Sequence, residues 1–167
     1  MPKASVVLPL LVLLGCAADA SATSFGDPVR PTVPTVGLAP APPVSVIDDV
    51  RAAYDRSWAV YAAAVGRVDA SGLRRAFADS ALVLRRREVV GLARDGAAVR
   101  VRVTHHAEVV LVDAETAIVT DVLDNHMVRV DARTRRPLEA DPADQLTRAY
   151  TLRLQHGTWK VTEAAAL

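Results

Sequence analysis

The sequence predicts an α+β domain, with helices first and a curved antiparallel sheet after them. Two observations carry this. From Ile47 onward apolar residues recur every three or four positions, and after Gly96 the apolar period falls to two and stays there to the end. A run of helices followed by a run of strands packs as one helical layer on one face of a sheet. The expected architecture is three N-terminal helices on a sheet of about four strands.

Ser45 is placed to cap the first helix, with Asp48 and Asp49 in its first turn. Ile47, Val50, Tyr54, Trp58, Tyr61 and Val65 then form one apolar stripe about five turns long, and Gly66 ends it. A second, short helix is expected from Ser71 to about Asp79, with Leu73, Ala76 and Phe77 inward. A third is expected over Ala81 to Arg94, burying Leu82, Val89, Leu92 and Ala93, with Asp95-Gly96 as its stop.

The first strand is long. Val99, Val101, Val103, His105, Ala107, Val109 and Leu111 share one face; Arg100, Arg102, Thr104, His106 and Glu108 share the other. Asp113-Ala114-Glu115 turns the chain into a second strand, Thr116 to about Val130, with a bulge expected near Asp124-Asn125. Pro137 and Pro142 mark a polar loop. A third strand carries Leu146, Tyr150, Leu152 and Leu154 on one face. His156-Gly157 leads into the last strand, with Trp159 and Val161.

The N-terminal part has a different character. Val6 to Leu14 is a nine-residue apolar core behind one positive charge, Lys3. A bilayer span needs about 20 apolar residues, so this run reads as the core of an export signal. Leu13-Leu14-Gly15-Cys16 resembles a bacterial lipobox, and Cys16 is the chain's only cysteine. That resemblance implies a diacylglyceryl group on the Cys16 thiol, cleavage before it, and usually acylation of the new N-terminus. Ala18-Asp19-Ala20 and Ala20-Ser21-Ala22 also fit an ordinary secretory cleavage site, which would discard Cys16 and release the protein. The expected organisation is a lipoprotein signal over 1–15, a proline-rich tether over 16–45 and the domain over 46–167. Six prolines between residues 28 and 43 make the tether extended and unable to join a helix or central strand.

Composition narrows function. The chain has 20 basic and 19 acidic residues; removing residues 1–15 takes only Lys3 and leaves 19 of each. A balanced domain gives no electrostatic case for nucleic acid. No glycine-rich phosphate loop, nucleophile elbow or CxxC motif is present, so no cofactor is expected.

The helices-then-meander order, the segments VRVTHHAEVVLVDAETAIVTDVLDN and QLTRAYTLRLQHGTWKVTEA, and the ending HGTWKV resemble nuclear-transport-factor-2-like domains. This is the cone-shaped fold of steroid isomerases and polyketide cyclases. More narrowly, the chain resembles bacterial lipoproteins that carry this fold behind a proline-rich tether. The likeness covers residues 46–167. No hairpin is evident between the second and third helices, so one edge of the cone is expected to be reduced.

Enzymes of this fold use a buried carboxylate or a His–Asp pair as base, with a Tyr or protonated Asp as oxyanion donor. The resemblance makes His105, Asp121, Asp124, His126 and Tyr54 the candidates. Each also has a plain reading. His105 is a core or rim histidine bonded to backbone, the acids are strand-end or turn residues, and Tyr54 is core. Asp121 and Asp124 have opposite strand parity, so without a bulge between them only one faces the pocket. His105 and His106 point to opposite faces and cannot share a metal ion. Arg85-Arg86-Arg87 reads as a solvated helix face.

The expected function is a non-catalytic, membrane-anchored binding or scaffold module of the cell envelope. It would sit on the extracytoplasmic face and bind a small apolar ligand, an envelope protein or a second copy of itself. The alternative is an isomerase- or cyclase-like enzyme using His105 and an aspartate. That alternative requires the two within hydrogen-bond reach beside a deep pocket.

Overall fold

The computed structural model describes residues 44–167. The expected export signal, Cys16 and nearly all of the expected tether lie outside the described residues. Residues 44–167 belong to one compact unit. Its hydrophobic clusters are complete within residues 46–164, so this unit has the closed core a domain needs to fold alone.

Helix α1 spans Val44–Arg67. Of the predicted stripe, Val50, Tyr54, Trp58, Tyr61 and Val65 are inside, whereas Ile47 is half-buried and Val46 packs on the core in its place. The expected second helix is a correction. Only Leu73–Arg75 turns, as a single 3-10 segment. Ala78 is extended, and the chain there pairs with the sheet: Ala78 N donates to Val161 O and Val161 N to Ala76 O, both at 2.9 Å. Leu73, Ala76 and Phe77 are buried as predicted, but as anchors of a turn. The described residues therefore hold two α-helices and not three. The second, α2, spans Asp79–Arg94 and buries Ala81, Val89 and Leu92, whereas Ala93 is exposed. Gly96 ends it in the left-handed conformation at φ 62°.

The first predicted strand is broken in two, β1 (Ala97–Arg100) and β2 (Val103–Leu111). The second is also two, β3 (Thr116–Asn125) and β4 (Val128–Asp131). Strands β5 (Asp144–Gln155) and β6 (Thr158–Ala166) complete the domain. The main sheet is antiparallel in the order β2-β3-β5-β6; β1 and β4 pair separately as a two-stranded ribbon. Both long strands bend at the same level, where His126 N donates to Arg102 O at 2.9 Å. The ribbon has a small core of its own, Ala98, Val128 and Val130, against Val68.

Register fixes which side chains meet the helices. His105 lies opposite Leu123, Asp121 opposite both Ala107 and Arg148, and Val119 opposite Tyr150. The β5–β6 hairpin turns on His156 and Gly157, both at positive φ (49° and 74°), as a two-residue turn matching the sheet's twist requires. A register shift at Thr151/Leu152 adds curvature to the sheet.

Candidate functional site

Asp121 is the centre of the site. It sits on the inner face of β3, fully buried. Three groups donate to its carboxylate. Tyr54 Oη reaches Oδ2 at 2.6 Å, His105 Nδ1 lies 2.6 Å from the same oxygen, and the His106 backbone N–H reaches Oδ1 at 2.8 Å. A carboxylate so placed only accepts, so His105 holds a proton on Nδ1. Its Nε2 has no partner among the described residues. The imidazole packs against Trp58, with ring centroids 4.7 Å apart, and against Tyr54 at 5.8 Å. Burial first, then the bond to Asp121, raises the Tyr54 hydroxyl far above its ordinary pKa, so it remains a donor.

Three of the five sequence candidates, Tyr54, His105 and Asp121, are thus brought together; two are not. Asp124 faces outward as parity requires and bonds to Gln145 at 3.1 Å and to His106 Nε2 at 3.3 Å. His126 pairs with Asp141 at 2.9 Å on the surface. His105 is bonded to a side-chain carboxylate, not to backbone, and the Tyr54 hydroxyl ties α1 to the sheet. Among the described residues no group of three or more His, Cys, Asp or Glu is placed to hold a metal ion.

A cavity of about 530 Å³ opens between the two helices and the inner face of β3, β5 and β6. Trp58, Tyr61 and Tyr150 give it aromatic walls; Leu84, Leu123, Met127 and Leu146 give it aliphatic ones. His105 and Asp121 do not line it. At its edge Tyr61 Oη donates to Glu88 Oε1 at 2.6 Å, and Arg85 Nη1 lies 3.1 Å from Glu88 Oε2. The Arg85 guanidinium also lies over the Tyr61 ring, 4.3 Å from its centroid. Burial, followed by the Glu88 charge, raises the Tyr61 hydroxyl, so its proton stays in that bond. Arg85 is therefore turned into the structure, which corrects its reading as part of a solvated face. Its only sequence signal was Glu88 three residues on. A second hollow of about 480 Å³ lies beyond, towards Asn125, Arg129 and Glu139; Tyr61, Glu88 and Met127 line both.

No protein-family model matches the chain, and no curated protein does. Solved structures do resemble it. The intermembrane space region of the chloroplast protein ARC6 superposes with a TM-score of 0.56 at 17% identity, covering 77% of this chain and 98% of that one. A putative dehydratase of the NTF2-like family from Streptomyces avermitilis gives 0.46 at 11% identity, over 72% of this chain and 93% of that one. An NTF2-like protein with a cystatin-like fold from Novosphingobium aromaticivorans gives 0.45 at 16%, over 74% and 84%. What is shared is a fold. With the ARC6 region that fold is α+β, helices on one face of a curved antiparallel sheet.

Proposed function

We propose that this chain is a membrane-anchored, non-catalytic binding module of the cell envelope, held by lipid on Cys16 at the extracytoplasmic face. The observation that carries the binding part is the cavity. Its volume lies within the range of small-molecule sites, and its walls are aromatic and aliphatic. The buried Asp121 is satisfied by its three donors and is used to join α1 to the sheet. The anchor rests on the lipobox-like residues ahead of Cys16.

The neutral fluorescent arene N-phenyl-1-naphthylamine tests the cavity. Residues 39–167 should bind it saturably with one-to-one stoichiometry. Ala164→Trp, which places an indole in the cavity from β6, should abolish that binding while circular dichroism stays unchanged. No saturable binding, or equal binding by the folded variant, would reject the cavity as a ligand site.

One observation favours a second reading, proton transfer at His105 Nε2: the imidazole is oriented by a carboxylate at 2.6 Å, as a general base requires. Its side chain is 24% exposed, and it stands off the cavity wall. Diethyl pyrocarbonate should therefore modify His105 at the same rate with the cavity empty or filled by the dye. Strong protection by the dye would put Nε2 in the ligand site and favour the enzyme.

A further inference from the structure

We infer that the ligand of this cavity is a compact amphipathic anion, an apolar body the size of one or two rings bearing a single acidic group. This deepens the binding reading above and rests on it.

The argument is the charge of an otherwise apolar wall. Four ionic side chains line the cavity: Arg85, Arg87, Glu88 and Arg148. Arg85 and Glu88 neutralise each other at 3.1 Å. Neither Arg87 nor Arg148 has a carboxylate within ion-pair distance among the described residues. The wall therefore carries two unmatched positive charges beside aromatic and aliphatic surface.

Arg148 is the informative one. It lies on the inner face of β5, between Leu146 and Tyr150 in the inward set, and is half-buried. Its neighbour across the ladder is Asp121, but no ion pair forms. The Asp121 oxygens are taken by Tyr54, His105 and His106. A guanidinium partly withdrawn from water loses hydration that an anion restores. Its planar fork meets the paired oxygens of a carboxylate, sulfonate or phosphate. Arg87, exposed on α2, lines the same cavity and adds a second attraction. Burial raises the Tyr150 hydroxyl, which keeps that neighbour neutral, so it does not cancel the charge.

The test compares two dyes with the same arene. 1-Anilinonaphthalene-8-sulfonate carries the acidic group; N-phenyl-1-naphthylamine does not. Residues 39–167 should bind the sulfonate at least about tenfold more tightly, the worth of a charge-assisted contact, with the preference falling as salt rises. Arg148→Gln should remove most of that preference, read as the ratio of the two dyes' affinities; Arg87→Gln should remove less. Equal binding of both dyes, or a preference untouched by Arg148→Gln in a folded variant, overturns the anion assignment while leaving the cavity standing. Failure of both dyes overturns the cavity itself. The acid is assigned as free, not as a membrane headgroup. Sedimentation with phosphatidylglycerol vesicles that depends on Arg148 would overturn that part.

Discussion

Asp121→Ala should destabilise the domain by about 3–5 kcal/mol, measured by urea denaturation of residues 39–167. The carboxylate is fully buried and accepts from three donors on two different elements. Truncation strands the Tyr54 hydroxyl, the His105 ring N–H and the His106 backbone N–H in the core, and it leaves a small void. Each stranded donor carries its own desolvation cost. Single domains hold only about 5–15 kcal/mol in all, so this one substitution removes a large share. Asp121→Asn separates the contributions. It keeps the volume and one acceptor oxygen; at the Oδ2 position that oxygen still serves Tyr54 and His105, and the amide NH2 then faces the His106 backbone N–H, which loses its partner. The expected loss is smaller, about 1–3 kcal/mol. An Asp121→Ala variant within about 1 kcal/mol of the parent would show that the three bonds contribute nothing net to folding.

Cys16→Ala should abolish the lipid anchor outright. The mature parent is expected to begin at Cys16 and to carry the mass of its acyl groups, and labelled palmitate should enter it. The variant should incorporate no label, and its membrane-bound fraction should fall. The size of the effect follows from chain burial. Each methylene in the bilayer contributes about 0.8 kcal/mol, so two or three acyl chains hold a protein firmly and none does not. The apolar run Val6 to Leu14 is too short to span the bilayer in their place. A parent chain that begins at Ser21 or Thr23 without lipid would sink the anchor and make this a secreted domain.

Strand parity was the most informative part of the sequence. It put His105 inward and His106 outward and set Asp121 and Asp124 on opposite faces; the register shows that alternation, with Asp121 the inward one. The α1 stripe was equally clear, because its side chains meet one continuous core. The errors came where a distant partner decides local shape. Leu73, Ala76 and Phe77 have helical spacing, yet Ala76 and Ala78 bond to Val161, far along the chain, and the segment opens out. The strand breaks were hidden for the same reason. Val99, Val101 and Val103 alternate without interruption, and only the change of partner from β4 to β3 divides them. The bond from Tyr54 to Asp121 joins residues 67 apart, which no local pattern encodes. Arg148 gave no signal either: a charged residue at an inward position of a strand looks like a lapse in alternation until the cavity beside it is seen.

The two hollows share a wall, and for the proposed ligand that wall bears on length. Tyr61, Glu88 and Met127 belong to both spaces, and Tyr61 Oη donates to Glu88 Oε1 between them. Turning Tyr61 away forfeits one bond to a charged group, about 1.5–3 kcal/mol. Burying a few further methylenes of a longer guest returns a comparable amount. If the proposed ligand occupies the first hollow, a short guest would end at Tyr61, and a longer one would have to displace it to run on towards Glu139.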